Sequence, residues 1–170
     1  MNRDELIDHL DSYLRIEEIE DKSQNGLQVE GPEEVTKVAL SVDACQAAFE
    51  QVVEEDAQLL IVHHGLFWSD SPLLTGIHFR RIRTLIDGGC GLYGVHLPLD
   101  AHPEVGNNAE MGRLLRLKDM RPFGDYHGLQ IGLAGVLDQP LDRPAFIGGL
   151  VETFNRPPIR VLDQGPDRIE

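Results

Sequence analysis

Apolar residues recur along the chain with two periods, and the period switches repeatedly. Leu6, Ile7, Leu10 and Leu14 fall on one helical face. Asn2 stands where it can cap a first turn, with Glu5 placed to reach back, so the spacing predicts an N-terminal helix. A polar stretch over 17–34 reads as loop. Within it "SQNGLQVEG" (23–31) carries Asn25-Gly26, the signal of a hairpin or reverse turn. Strand-like and helix-like segments then alternate. "KVALSV" (37–42) reads as a buried strand, "CQAAFEQVVEE" (45–55) as a helix and "LLIVHH" (59–64) as the next strand. "FRRIRTLIDGG" (79–89) is a helix ended by its glycines, and "GLYGVHL" (91–97) a third strand. "NNAEMGRLLRL" (107–117) reads as a helix with an Asn107/Glu110 capping box. A strand at 127–137, a helix at 144–154 and a short strand at 158–163 complete the pattern. Such alternation predicts an α/β fold, a mostly parallel sheet with helices on both faces, as one domain over residues 1–170.

Composition narrows the function classes. Twenty-nine acidic residues against fifteen basic ones give a net charge of −14, and only the short "RRIR" at 80–83 offsets it. A chain so charged repels a phosphate backbone, which argues against general nucleic-acid binding. The acidic run "EEIED" (17–21) reads as a solvated face. No apolar run approaches the ~18 residues of a membrane span, and "MNRDELIDHL" lacks the apolar block of a signal peptide, so the expected location is the cytoplasm with no membrane partner. Cys45 and Cys90 stand far apart with no CxxC and read as two buried, reduced thiols.

Candidate chemistry gathers where strands end. In open parallel sheets ligands collect beyond the carboxyl ends of the strands. "LLIVHHGLFW" (59–68) ends one strand on His63 and His64, and "HLPLDAH" follows the next strand with His96, Asp100 and His102. Imidazole and carboxylate together suit first-row divalent metals such as Zn, Mn, Fe or Ni. We therefore take His63, His64 and Asp100 as metal-ligand candidates, and His102 as a further one that can equally face water. A His pair at a strand end is also commonly just hydrogen-bonded or exposed. His78 and His127 have no companions and read as structural. Asn107 and Asn108 precede a helix whose N–H groups can accept an anionic substrate group, with ordinary capping as the alternative.

Three segments, "SQNGLQVEG", "LLIVHHGLFW" and "LYGVHLPLDAHPEVGNNAEMGRLL", in this order and spacing, closely resemble the Nif-three-like family. Its bacterial members are often labelled GTP cyclohydrolase 1 type 2 or dinuclear metal centre proteins. The resemblance covers essentially the whole sequence. It implies an α/β fold, a toroidal homohexamer and two divalent cations per subunit. His63 and His64 would each ligate one metal, Asp100 one of them, and His96 would be a ligand or stand beside one. Asn25, Asn107 and Asn108 are the candidates for substrate contact. The resemblance also implies a later segment supplying a His and a Glu four residues apart, yet no His-x-x-x-Glu occurs in this sequence. The sequence therefore reads either as the N-terminal portion of a longer chain or as a short member with an incomplete centre, holding one cation or none. The expected function is a metal-dependent hydrolase using a metal-activated water, with a small-molecule substrate that the family label makes a nucleotide, GTP. The alternative is a non-catalytic metal-binding or regulatory scaffold.

Overall fold

The computed structural model describes every residue except Ser71 and Asp163. Its contacts group into two compact units, Met1–Leu99 and Asp100–Glu170, where the sequence reads as one domain.

The first unit opens with α1 (Arg3–Leu14), capped as expected: the Asn2 side chain accepts from the amides of Asp4 at 2.9 Å and Glu5 at 3.3 Å. A short 3-10 turn at Ile16–Glu18 leads to β1 (Gly26–Val29). The stretch 17–34 is thus not all loop, and Asn25-Gly26 is the entry to a strand. β1 escapes a periodicity reading because it is four residues long and buries only its ends, Gly26 and Val29. β2 (Val38–Asp43), α2 (Gln46–Glu54), β3 (Leu59–His64), α3 (Gly76–Asp87) and β4 (Gly91–Gly94) follow, and α4 (Leu97–Ala101) is a short helix after the last strand.

The four strands form one sheet in the order β1-β4-β3-β2. β2, β3 and β4 run parallel, and β1 is antiparallel to β4, so the sheet is mostly parallel. Alternation along β3 divides the core between its faces. Leu60 and Val62, with Leu92 of β4, pack against Phe49 and Val52 of α2 and Leu85 of α3. Leu59, with Tyr93 and Val95, packs against Ile7 and Leu14 of α1. Helices therefore cover both faces. β2 departs from its expected burial: it is the edge strand, and Leu40 and Val42 are 79% and 61% exposed. α1 covers the middle of the sheet and leaves this flank open, while Ala39 packs against the opposite cluster.

In the second unit α5 (Asn107–Leu114) precedes a hairpin of β5 (Lys118–Tyr126) and β6 (Leu129–Val136). The linking residues, His127 and Gly128, have φ of 51° and 87°, the two positive values a tight hairpin turn requires. β6 is thus antiparallel to a strand the sequence did not reveal. Pro122 and Gly124 within β5 hide it, because both residues are unfavourable inside strands. β7 (Leu141–Asp142) and β8 (Arg168–Ile169) form a minimal antiparallel pair. Between them lies α6 (Arg143–Phe154), whose N-cap Asp142 accepts from the Ala145 amide at 2.8 Å. The strand expected over 158–163 is not formed at 158–162, and Asp163 lies outside the described residues. The capping box expected at Asn107 is also absent. Gly106 is the N-cap, so Asn107 falls one position inside the helix and its side chain is used elsewhere.

Candidate metal centre

β3 places His63 and His64 at its last two positions, before the backbone turns at Gly65. β4 runs parallel beside it, with Val62 opposite Gly94, so the residues just past β4 arrive at the same end of the sheet. His96 is among them. The ring centroids of His63 and His64 are 4.5 Å apart, those of His63 and His96 5.0 Å, and those of His64 and His96 5.7 Å. One ring nitrogen from each lies within 4.8 Å of the other two.

Each ring is held from behind through Nδ1. His63 Nδ1 meets the Val95 carbonyl at 3.1 Å, and His64 Nδ1 meets the Asp43 carboxylate at 2.7 Å. His96 Nδ1 lies 3.1 Å from both carboxylate oxygens of Asp21. These partners can only accept, so Nδ1 carries a proton in all three rings and Nε2 is the nitrogen left to meet a cation. Acceptors on the far nitrogen that orient a ring and raise its basicity are the usual support of a metal-binding histidine.

Asp21 is the most constrained of these supports. Its side chain is 3% exposed. It accepts from the amides of Ser23 at 3.0 Å and Leu97 at 2.9 Å, and from Asn25 Nδ2 at 3.1 Å. Burial pushes its carboxyl up, but these hydrogen bonds and the one from His96 outweigh that cost and hold its pKa below the usual carboxylate value. Asn25 completes the brace: its Oδ1 accepts the His96 amide at 2.8 Å. Trp68 stands beside the group, its ring 5.0 Å from that of His96 and 6.4 Å from that of His64, with Nε1 donating to the Gly65 carbonyl at 3.2 Å.

Three imidazoles with paired Nδ1 atoms form a donor set that fits a borderline divalent cation, for which metal–nitrogen distances are about 2.0–2.1 Å. One nitrogen from each of the three rings already lies within 4.8 Å of the other two.

The model of the DUF34/NIF3 (NGG1p interacting factor 3) family matches residues 1–170. The chain belongs to the DUF34/NIF3 family. A Deinococcus radiodurans protein named GTP cyclohydrolase 1 type 2 homolog is 48% identical over 141 residues, which are 83% of this chain and 54% of that protein. A Pyrococcus horikoshii protein of the same name is 46% identical over 152 residues, 89% of this chain and 61% of that protein. This DUF34/NIF3 chain therefore spans little more than half the length of these two relatives. The crystal structure of TTHA1606 from Thermus thermophilus superposes with a TM-score of 0.90 at 42% identity, covering 99% of this chain and 67% of that one.

The candidates Asp100, His102, Asn107 and Asn108 of this DUF34/NIF3 chain belong to the second unit. Asp100 begins the second unit, on α4, and its carboxylate accepts from Asn107 Nδ2 at 2.9 Å. Asn108 Nδ2 donates to the carbonyls of Asp100 at 3.1 Å and Ile131 at 2.8 Å. Both asparagines thus tie their own unit together. His102 is buried, and its Nδ1 accepts from the amides of Glu104 and Val105, each at 3.2 Å, which occupies that nitrogen. Sequence reasoning missed Asp21 and Asp43. Asp43 had a signal, an acid at the carboxyl end of a strand parallel to β3. Asp21 had none, since an acidic run looks the same whether one member turns inward or all face water. Among the described residues, no helix is long and apolar enough to cross a membrane.

Proposed function

We propose that His63, His64 and His96 hold a divalent cation and that the protein is a metal-dependent hydrolase of small molecules. The observation that carries this reading is the approach of three ring nitrogens to within 4.8 Å, each ring braced through Nδ1 by an acceptor. When bound, such a cation supplies Lewis acidity and brings the pKa of water toward neutrality. The chain's own residues prepare the position. Asp21, Asp43 and the Val95 carbonyl fix the rings, and Asn25 fixes the backbone that carries His96. We assign Asn25 to this bracing, because both ends of its side chain are engaged there. Trp68 stands beside the rings of His96 and His64. The ligand role of Asp100 and the substrate roles of Asn107 and Asn108 are carried on the sequence motif alone.

The relatives' name makes a guanine nucleotide the first substrate class to try, with hydrolytic ring opening as the reaction. The family resemblance further implies a homohexamer with a second cation, completed by a His and a Glu four residues apart. That pair does not occur in this sequence, so for the chain as it stands we propose one cation on the three imidazoles. The same departure favours a second reading, a metal-binding scaffold without turnover.

The test is elemental analysis after loading with Zn²⁺, Mn²⁺ or Co²⁺, followed by assay against nucleotides and simple esters. One equivalent of metal that His64→Ala removes supports the site. Hydrolysis lost in the same variant supports catalysis, and tight metal binding without turnover on any substrate favours the scaffold. No retained metal in the wild type overturns the proposal.

A further inference from the structure

We propose that Gln28 is a positioning residue of this centre, its side-chain amide acting as a wedge that sets the distance between the ends of β3 and β4. The inference rests on the metal-site reading above. Gln28 lies in "NGLQVEG", on β1, and its amide is engaged by backbone groups and not by the three imidazoles. Its Oε1 accepts from the Leu66 amide at 2.7 Å, and its Nε2 donates to the Gln24 carbonyl at 2.7 Å. One amide thus ties the turn after His64 to the segment leading into β1.

The two glycines around it show how tightly the wedge is driven. A Cβ on Gly65 would lie inside 3.0 Å of Nε2, Oε1 and Cδ of Gln28, and a Cβ on Gly94 would lie 2.6 Å from Nε2. That second Cβ would also stand 3.4 Å from the Gly65 Cα. Neither glycine has a positive φ, so it is space and not backbone conformation that requires glycine here. Gly65 directly follows His64, and Gly94 precedes His96 by two residues. The amide therefore packs against both of the backbone segments that deliver the ligands. The Gln28 side chain is flexible in itself, but withdrawing it from an added Cβ would give up both hydrogen bonds.

The chemistry of the wedge is specific. Only an amide of this length both accepts from Leu66 and donates to Gln24. A glutamate keeps the first bond and sets a carboxylate against the Gln24 carbonyl. A methionine keeps the volume and loses both bonds.

The test is Co²⁺ titration of the whole chain, read by the visible spectrum of the bound ion, with thermal melting of each variant as the measure of folding. Gln28→Met is expected to weaken Co²⁺ binding about 10–100-fold, the range found for residues that support ligands, and to move the absorption bands of the saturated complex. Gln28→Glu should fall between it and the wild type. Gly65→Ala should resemble Gln28→Met, and combining Gly65→Ala with Gln28→Ala should cost less than the two losses added, because the new Cβ occupies the vacated space. A purely structural Gln28 would lower the melting temperature and leave the saturated spectrum unchanged. That result, or strict additivity at positions 28 and 65, overturns the proposal. Imidazole ¹⁵N–¹H NMR without metal separates it from the metal reading. Gln28→Met should shift the rings of His63, His64 and His96 and spare those of His9, His78 and His127. A wild type that takes up no Co²⁺ defeats the metal reading alone, whereas unmoved rings defeat the positioning role.

Discussion

The two units are built on different principles. Met1–Leu99 holds every member of both core clusters, with Phe49, Leu59, Leu85, Leu92 and Tyr93 fully shielded from water. In Asp100–Glu170, Ala109 is the only buried hydrophobic residue among those described, while Phe123, Leu162 and Ile159 are 59%, 73% and 107% exposed. The second unit is held instead by local devices: a hairpin ladder, a tight turn with two positive φ values, and a capped helix. Each fully buried large apolar side chain contributes about 1.5–3 kcal/mol, so the first unit is the rigid one. The three imidazoles belong to it, at the ends of strands whose other residues are locked into both faces of the core. A site that needs ring nitrogens within a few tenths of an ångström belongs on such elements.

The largest expected effect breaks this comparison if it fails. Phe49→Ala removes a ring with no exposed surface from the α2 side of the sheet and should cost about 3–5 kcal/mol. Phe123→Ala, on a strand of the exposed hairpin, should cost no more than about 0.5 kcal/mol. Urea unfolding followed by far-UV circular dichroism measures both. Equal losses would show that the second unit carries packing as tight as the first.

The same contrast governs what the sequence disclosed. Residues 59–64 announce themselves because four aliphatic side chains must be buried and the strand must end where two imidazoles follow. α1 is equally open to reading, since its stripe and its Asn2 cap lie within one local window. What stayed hidden depends on partners distant in sequence. β1 is a strand because β4 pairs with it, about 65 residues on. Asp21 turns inward because the His96 ring and the Leu97 amide, more than 70 residues later, offer it protons. Conversely, Asn107 looks like a cap in its own window and is drawn away by Asp100. β2 read as buried because its apolar content is high, but its place in the strand order decides which of its faces is covered.

A second prediction sharpens the assignment of the site to the rigid unit. Trp68 is the only tryptophan, and its ring lies 5.0 Å from that of His96. A paramagnetic cation such as Co²⁺ or Cu²⁺ at the three imidazoles should quench most of its fluorescence, and a chelator should restore it. His96→Ala should abolish the response. Asp21→Asn keeps the shape and removes the carboxylate behind His96, so it should weaken Co²⁺ binding about 10–100-fold without abolishing it. Quenching that survives His96→Ala would move the cation away from this group.

The smallest effect concerns how closed the first unit stays in solution. Cys90 is buried in the cluster beneath α2 and α3, and burial pushes its thiol up to about 11. Cys45, at the N-cap of α2, is half-buried. At pH 8 a thiol with such a pKa is about 0.1% ionised, and the thiolate is the reactive species. Ellman's reagent should therefore label Cys45 alone in the native protein and both cysteines in urea. The sign of the pH dependence follows from the same shift. Between the unfolded thiol's pKa of ~8.5 and about 11 the native state keeps a proton that the unfolded state has lost, so stability falls as pH rises through this window. Cys90→Ala should remove that component of the alkaline decline, and Cys45→Ala should retain it. Rapid native labelling of Cys90 at pH 8 would mean that the packing around Leu60, Leu85 and Leu92 opens on the labelling timescale, and the rigidity that brings the three imidazoles together would have to come from the braces at Asp21, Asp43 and Gln28 instead of from the core.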